Sequence, residues 1–225
     1  LWRFNPTTGE WTWVDGSTTI IQSGTYGTED IAAASNVPGA RGYSASWIDG
    51  SGNLWLFGGY GRDSAGNLGY LNDLWRFNPT SGQWTWVDGS DTIDQSGTYG
   101  TEDIAAASNV PGARGYLVTW IDGSDNLWLF GGGGFDSAGN FGNLNDLWRF
   151  NPTSGEWTWV DGSNTRYQSG TYGTEDVADV GNVPGARAYS VSWIDGSDNL
   201  WFFGGEGYDS AGSIGNLNDL WRFQP

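Results

Sequence analysis

The sequence predicts an all-β chain of repeated, four-stranded antiparallel units, and three observations carry this. A stretch that begins at Leu1 returns at Leu74 and Leu147, and its first half again at Leu220, a constant spacing of 73 residues. The 225 residues include 38 Gly and 7 Pro, which cost about 1 and about 3 kcal/mol in a helix interior, and no window places apolar residues at helical spacing. Short aromatic runs alternate with polar turns: Leu74 to Phe77 and Trp84 to Val87 flank a bend supplied by Asn78, Pro79, Ser81 and Gly82. The chain thus reads as one repeat domain, with repeats at 1–73, 74–146 and 147–219 and a partial copy at 220–225.

Within the first period the elements follow in order. LWRFNP (Leu1 to Pro6) and EWTWVDG (Glu10 to Gly16) form an aromatic hairpin, in which Trp11 and Trp13 share one face and Thr12 takes the other. A long polar segment runs from Ser17 to Arg41. YSASWID (Tyr43 to Asp49) and NLWLFGG (Asn53 to Gly59) form a second hairpin across a Gly-containing link. A Gly-rich loop is expected from Tyr60 to Asp73. The strand NLWLFGG is apolar on both faces, as strands buried between stacked sheets are. Four strands per period is the count of one β-propeller blade, so the predicted fold is a β-propeller of four-stranded antiparallel blades.

The repeat resembles a kelch repeat. The residues that carry the resemblance are the double glycines (Gly58 and Gly59, Gly131 and Gly132, Gly204 and Gly205), an aromatic on the third strand (Phe4, Phe77, Phe150) and a Trp on the fourth (Trp11, Trp84, Trp157). A ProGlyAlaArg segment ending at Arg41, Arg114 and Arg187 also matches. Phe stands where the family usually has Tyr. A surplus of about 20 residues over the ordinary kelch length falls near Ser17 to Asn36 and its copies. Three blades do not close a ring, so the resemblance implies either a homodimer completing six blades or a part of a longer propeller chain; the start at Leu1 without Met fits a processed or partial chain.

Composition narrows the functions. Twenty-six acids against nine bases give a net charge of −17, which disfavours nucleic acid and anionic membrane as partners. No apolar run is long enough to insert in a membrane. With no Cys and no His, Ser/His/Asp and Cys/His catalysis and His- or Cys-ligated metals are excluded, and no cofactor is expected.

Candidate contact residues come from comparing the copies, which differ mainly around the polar segment and the Gly-rich loop. A ligand or partner face is therefore expected at Ile21, Tyr60, Arg62, Asp94, Phe135, Arg166, Tyr167, Glu206 and Tyr208, although loops also tolerate drift. The recurrent GlyThrTyrGlyThrGluAsp places Glu29, Glu102 and Glu175 where they suit either acid/base or cation chemistry, or an ordered loop whose acids cap backbone groups or pair with Arg41, Arg114 and Arg187. AspSerAlaGlyAsn at Asp63 and Asp136, with its variant at Asp209, has alternating oxygen ligands but lacks the Gly and distal Glu of an EF-hand, so a turn outweighs a Ca²⁺ site.

The expected function is a non-enzymatic scaffold, extracellular or at the cell surface, that binds protein or glycan through its long-loop face. A multivalent lectin formed by ring closure is the first alternative, and a carboxylate-dependent, glycan-active enzyme the second.

Overall fold

The computed structural model describes residues 1–225 and contains only strands and turns. Its first sheet is the hairpin β1 (Trp2–Asn5) and β2 (Glu10–Trp13). The second comprises β3 (Arg41–Gly42), β4 (Ala45–Ile48), β5 (Leu54–Arg62), β6 (Leu68–Asn78) and β7 (Gln83–Asp88). The third repeats it with β8 (Arg114–Gly115), β9 (Val118–Ile121), β10 (Leu127–Phe135), β11 (Phe141–Asn151) and β12 (Glu156–Asp161). The fourth has β13 (Arg187–Ala188), β14 (Val191–Ile194), β15 (Leu200–Tyr208) and β16 (Ile214–Phe223). Every pairing is antiparallel, as short polar turns require.

Two local departures from the sequence expectation position the site. The strand expected at Tyr43 to Asp49 is shortened to Ala45–Ile48, because Tyr43 sits in the left-handed region with φ 61° and separates β3 from β4. The loop expected at Tyr60 to Asp73 is largely a hairpin: β5 runs through to Arg62 and β6 begins at Leu68. The double glycine allows this. Register slips between Phe57 and Gly59, with Gly58 at φ 60° and Gly59 at φ 96°, a bulge that bends the strand without ending it. A Cβ on Gly58 would lie 2.8 Å from the carbonyl oxygens of Leu71 and Arg114, so the missing side chain also admits the next repeat's backbone.

Successive sheets pack face to face through aromatic layers. Trp47, Trp55 and Phe57 of the second sheet meet Leu127, Trp148, Phe150 and Trp157 of the third, with Trp55 on Phe150 at 5.8 Å and Phe57 on Trp157 at 5.5 Å between ring centres. Val118, Trp120 and Phe130 of the third meet Leu200 and Phe202 of the fourth. The polar segment before each large sheet folds over that sheet's two outer strands. Tyr26 packs on Trp75 at 4.8 Å, Asn36 Nδ2 donates to the carbonyls of Ile31 and Trp84, and the Asp30 amide donates to Trp86 O. The surplus residues are thus a fitted cover.

The expected β-propeller of four-stranded blades is not formed. The strands make four separate sheets, none closed into a barrel or ring. The reason lies in the two ends. β1 and β16 carry the same third-strand sequence, but β16 occupies the edge of β15 while β1 pairs only with β2, so the first hairpin does not complete the fourth sheet.

Candidate functional site

Each large sheet contains one buried polar cluster. Arg114 Nη1 and Nη2 donate to the two carboxylate oxygens of Asp146 at 2.6 and 2.7 Å, and Tyr99 Oη and Trp148 Nε1 donate to Asp146 Oδ2 at 2.6 and 2.8 Å. Both partners of the ion pair are fully buried. Arg41, Asp73, Tyr26 and Trp75 repeat this arrangement, as do Arg187, Asp219, Tyr172 and Trp221. Burial, then the neighbouring carboxylate, pushes the Tyr26 and Tyr99 hydroxyls far up, so they remain donors. At Asp219, burial works to raise the carboxyl but is outweighed by hydrogen bonds from Arg187, Trp221 and Tyr172, which bring it down to about 2.

The Arg residues of the three ProGlyAlaArg segments therefore pair with Asp73, Asp146 and Asp219, and not with Glu29, Glu102 or Glu175, which lie exposed on the covering segment. The signal in the sequence was the Asp two residues before each Trp of the third strand: an acid recurring inside an apolar run needs a buried partner. Asp63, Asp136 and Asp209 close turns. Asp63 Oδ1 accepts from the amides of Ala65 and Asn67, and the other two do the same. No group of three or more acids converges as a metal site would.

The left-handed tyrosines define an accessible face that the sequence comparison missed. Tyr43, Tyr116 and Tyr189 follow β3, β8 and β13 with φ between 60° and 63°. Their rings lie 4.2 and 4.5 Å apart between centres, and their backbones are joined, Tyr116 N donating to Tyr43 O and Tyr189 N to Tyr116 O. Tyr43 and Tyr189 are exposed. For a bulky residue this backbone is strained by about 1–3 kcal/mol, and the inter-repeat hydrogen bonds hold it there. A signal existed, since a Tyr follows ArgGly or ArgAla in every copy.

Beside this row runs a second, built from residues on the far halves of the β5–β6 hairpin and its copy. Tyr60, Tyr70, Phe141 and Phe135 follow one another at 5.1, 4.8 and 5.4 Å. The Asp94 backbone amide donates to Tyr70 O, and Asp94 Oδ1 accepts from Tyr70 N. Burial, then Tyr189 and Tyr60, raise the Tyr70 hydroxyl. In the third repeat Arg166 lies over the Tyr167 ring at 4.6 Å, and Tyr167 neighbours Tyr208 at 5.4 Å. Ile21 occupies the first repeat's version of Asp94 and Tyr167, with the same left-handed backbone, and is exposed. Arg62 Nη1 is turned to the Gly66 carbonyl at 2.7 Å.

Glu206 stands at one of the positions where all three repeats differ. Its counterparts are Tyr60 and Gly133, so the carboxylate occurs once. It lines a depression of about 520 Å³ with Tyr189, Gly205, Asn216 and Leu217, and its carbonyl accepts from Asn143 Nδ2 of the preceding repeat. A flat ring, an acid and an amide thus meet at one open site.

No protein-family model and no curated protein matches the chain. Among solved structures it is similar to one titled "Structure of YjhT", with 18% identity, a TM-score of 0.50, and coverage of 85% of this chain and 54% of that one. The likeness at this identity is one of fold, and the chain spans about half the length of that structure. The kelch resemblance is accordingly corrected: its double glycine and aromatics are present, but they build open sheets and match no family. The expectation of a non-enzymatic scaffold is set aside as well. It rested on the absence of His and Cys and on near-equal copies that suit repeated binding, whereas one carboxylate, Glu206, occurs in a single copy and stands open beside Tyr189, a group that can transfer a proton without either residue type.

Proposed function

We propose that this chain engages a neutral glycan on its tyrosine-lined face. The observation that carries the reading is the stacked row Tyr43, Tyr116 and Tyr189 ending at the depression with Glu206 and Asn216. Sugars present an apolar C–H face and a rim of hydroxyls. A tyrosine ring offers the first an apolar surface and its hydroxyl a polar tip, while a carboxylate accepts and an amide both donates and accepts. The charge of −17 opposes acidic polysaccharides and leaves neutral ones as the class that fits.

Calorimetric titration with neutral oligosaccharides tests this. Saturable binding is expected, weakened about tenfold or more by Tyr189→Ala, whose ring is exposed and so dispensable for folding. Absence of saturable binding to every neutral glycan would overturn the reading.

A second reading, action on that glycan, is favoured by Glu206 alone. The depression holds one carboxylate, which suits proton transfer at a bound sugar rather than hydrolysis by a carboxylate pair. Glu206→Gln should then abolish turnover of the bound glycan while leaving its affinity within a few-fold; equal turnover by both proteins would refute catalysis without touching the binding reading.

A further inference from the structure

The two ends of the sheet stack expose the residues that the interior buries. At one end the outward face of β1–β2 carries Trp2, Phe4 and Trp11; Trp2 is 62% and Trp11 65% exposed, whereas their counterparts Trp75 and Trp157 are 0% exposed. At the other end β14 to β16 expose Trp193, Phe203 and Leu220; Trp193 is 54% and Phe203 42% exposed, against 5% for Trp47 and 0% for Phe57. These sets are the two halves of one interface. Between the second and third sheets Trp55 meets Phe150 and Phe57 meets Trp157, and between the third and fourth Trp128 meets Phe223 at 5.7 Å.

We propose that a second copy of this chain seats its β1–β2 face on the fourth sheet, in head-to-tail association. The pairs expected are Phe4 of one copy on Trp201 of the other, repeating a contact made twice inside the chain, and Trp11 on Phe203, repeating one made between the second and third sheets. A contiguous aromatic face of this kind is uncommon on a free monomer, and the interior supplies a complementary shape for it. The hairpin brings only third- and fourth-strand residues, so it covers less of the fourth sheet than an internal neighbour would, and the association is weaker than the internal packing. Two chains of charge −17 repel one another, so salt strengthens the contact by screening. The interface is heterologous: each copy contributes a different surface, and a free end remains for another copy.

Light scattering on the whole chain over a concentration series at low and high salt tests this. The weight-average mass should rise above the 24.3 kDa of one chain, and rise further with salt. Trp11→Asp and Phe203→Asp, both at exposed positions, should each be monomeric, and their equimolar mixture should give a species of twice the chain mass, because one retains the tail face and the other the head face. A wild-type chain that stays monomeric throughout would overturn the proposal and leave these faces to a further segment or a different protein. So would association of the wild type with no dimer in the mixture, since the surfaces would then not be paired head to tail.

Discussion

Replacing Asp146 by Asn tests whether the buried clusters hold the sheets together. Asp146 accepts four hydrogen bonds, two from Arg114 and one each from Tyr99 and Trp148, and neither partner of the ion pair reaches solvent. The variant keeps the shape but leaves the guanidinium buried without its counter-charge, and breaking such a pair costs about 3–5 kcal/mol. The matching change at Asp219 removes the same bonds, but there the carboxylate side chain is 16% exposed and water can solvate the freed Arg187; its cost should be about 2 kcal/mol, below the buried-pair range. With a urea slope of about 2 kcal/mol per molar, the two transition midpoints should differ by about 0.5–1.5 M. Tryptophan fluorescence and far-ultraviolet circular dichroism together would follow them, since stacked units need not unfold as one. Replacing both partners, Arg114→Met with Asp146→Leu, should recover only part of the loss, because it removes the unpaired charge but leaves the buried Tyr99 hydroxyl and Trp148 indole without their acceptor. Equal costs at Asp146 and Asp219, or a cost below about 1 kcal/mol at Asp146, in the range of surface ion pairs, would refute the reasoning.

Other outcomes follow from the same geometry. Gly131→Ala places a Cβ 2.9 Å from the carbonyls of Arg187 and Leu144 at φ 61°, whereas Gly204→Ala meets only Leu217 O; both incur the left-handed penalty of about 1–2 kcal/mol, and thermal unfolding should show a distinctly larger loss for Gly131→Ala. Burial pushes the Asp88 carboxyl up to about 6, so its ionisation in the fold costs stability above about pH 6, and this cost is relieved as pH falls toward 4; Asp88→Asn should stabilise the chain at pH 7 by on the order of 1 kcal/mol and flatten the pH dependence of urea midpoints over that window. Asp219, held down at about 2, contributes the opposite way: its stabilisation is complete above about pH 4 and is lost as pH falls through about 2, so Asp219→Asn should remove part of the acid sensitivity measured there.

Much of this was legible in the residues themselves. The 73-residue spacing, the alternation in Glu10 to Val14 and the double-sided apolar run Leu54 to Phe57 determine sheets that must be covered on both faces, and the sheets form there. Arg41, Arg114 and Arg187 were recognisable as recurrent, but a strand pattern names no partner, and their true partners lie 32 residues away on β6, β11 and β16. The tyrosine row was harder still. Its three members are separated by a full period, and only the left-handed turn after the Arg, which strand patterns do not encode, brings their rings within 5 Å.

Why the sheets stay open at both ends is the more instructive case. A repeat sequence is the same under a shift of one period, so it states how each unit packs on its neighbour and is silent about the ends. Phe57 and Phe203 occupy the same place in the repeat, and one is fully buried while the other is 42% exposed, because the third sheet packs on the second and no sheet of this structure packs on Phe203. The functional asymmetry has the same origin in reverse. Tyr60, Gly133 and Glu206 occupy one position in three equivalent hairpins, and the scaffold tolerates all three because the position has room: a Cβ on Gly133 would meet no atom nearer than 3.7 Å. The next position is fixed by contrast, since a Cβ on Gly61, Gly134 or Gly207 would lie 2.4 to 2.5 Å from the Cβ of Arg41, Arg114 or Arg187, so variation is confined to the open position, where ring, amide and acid meet.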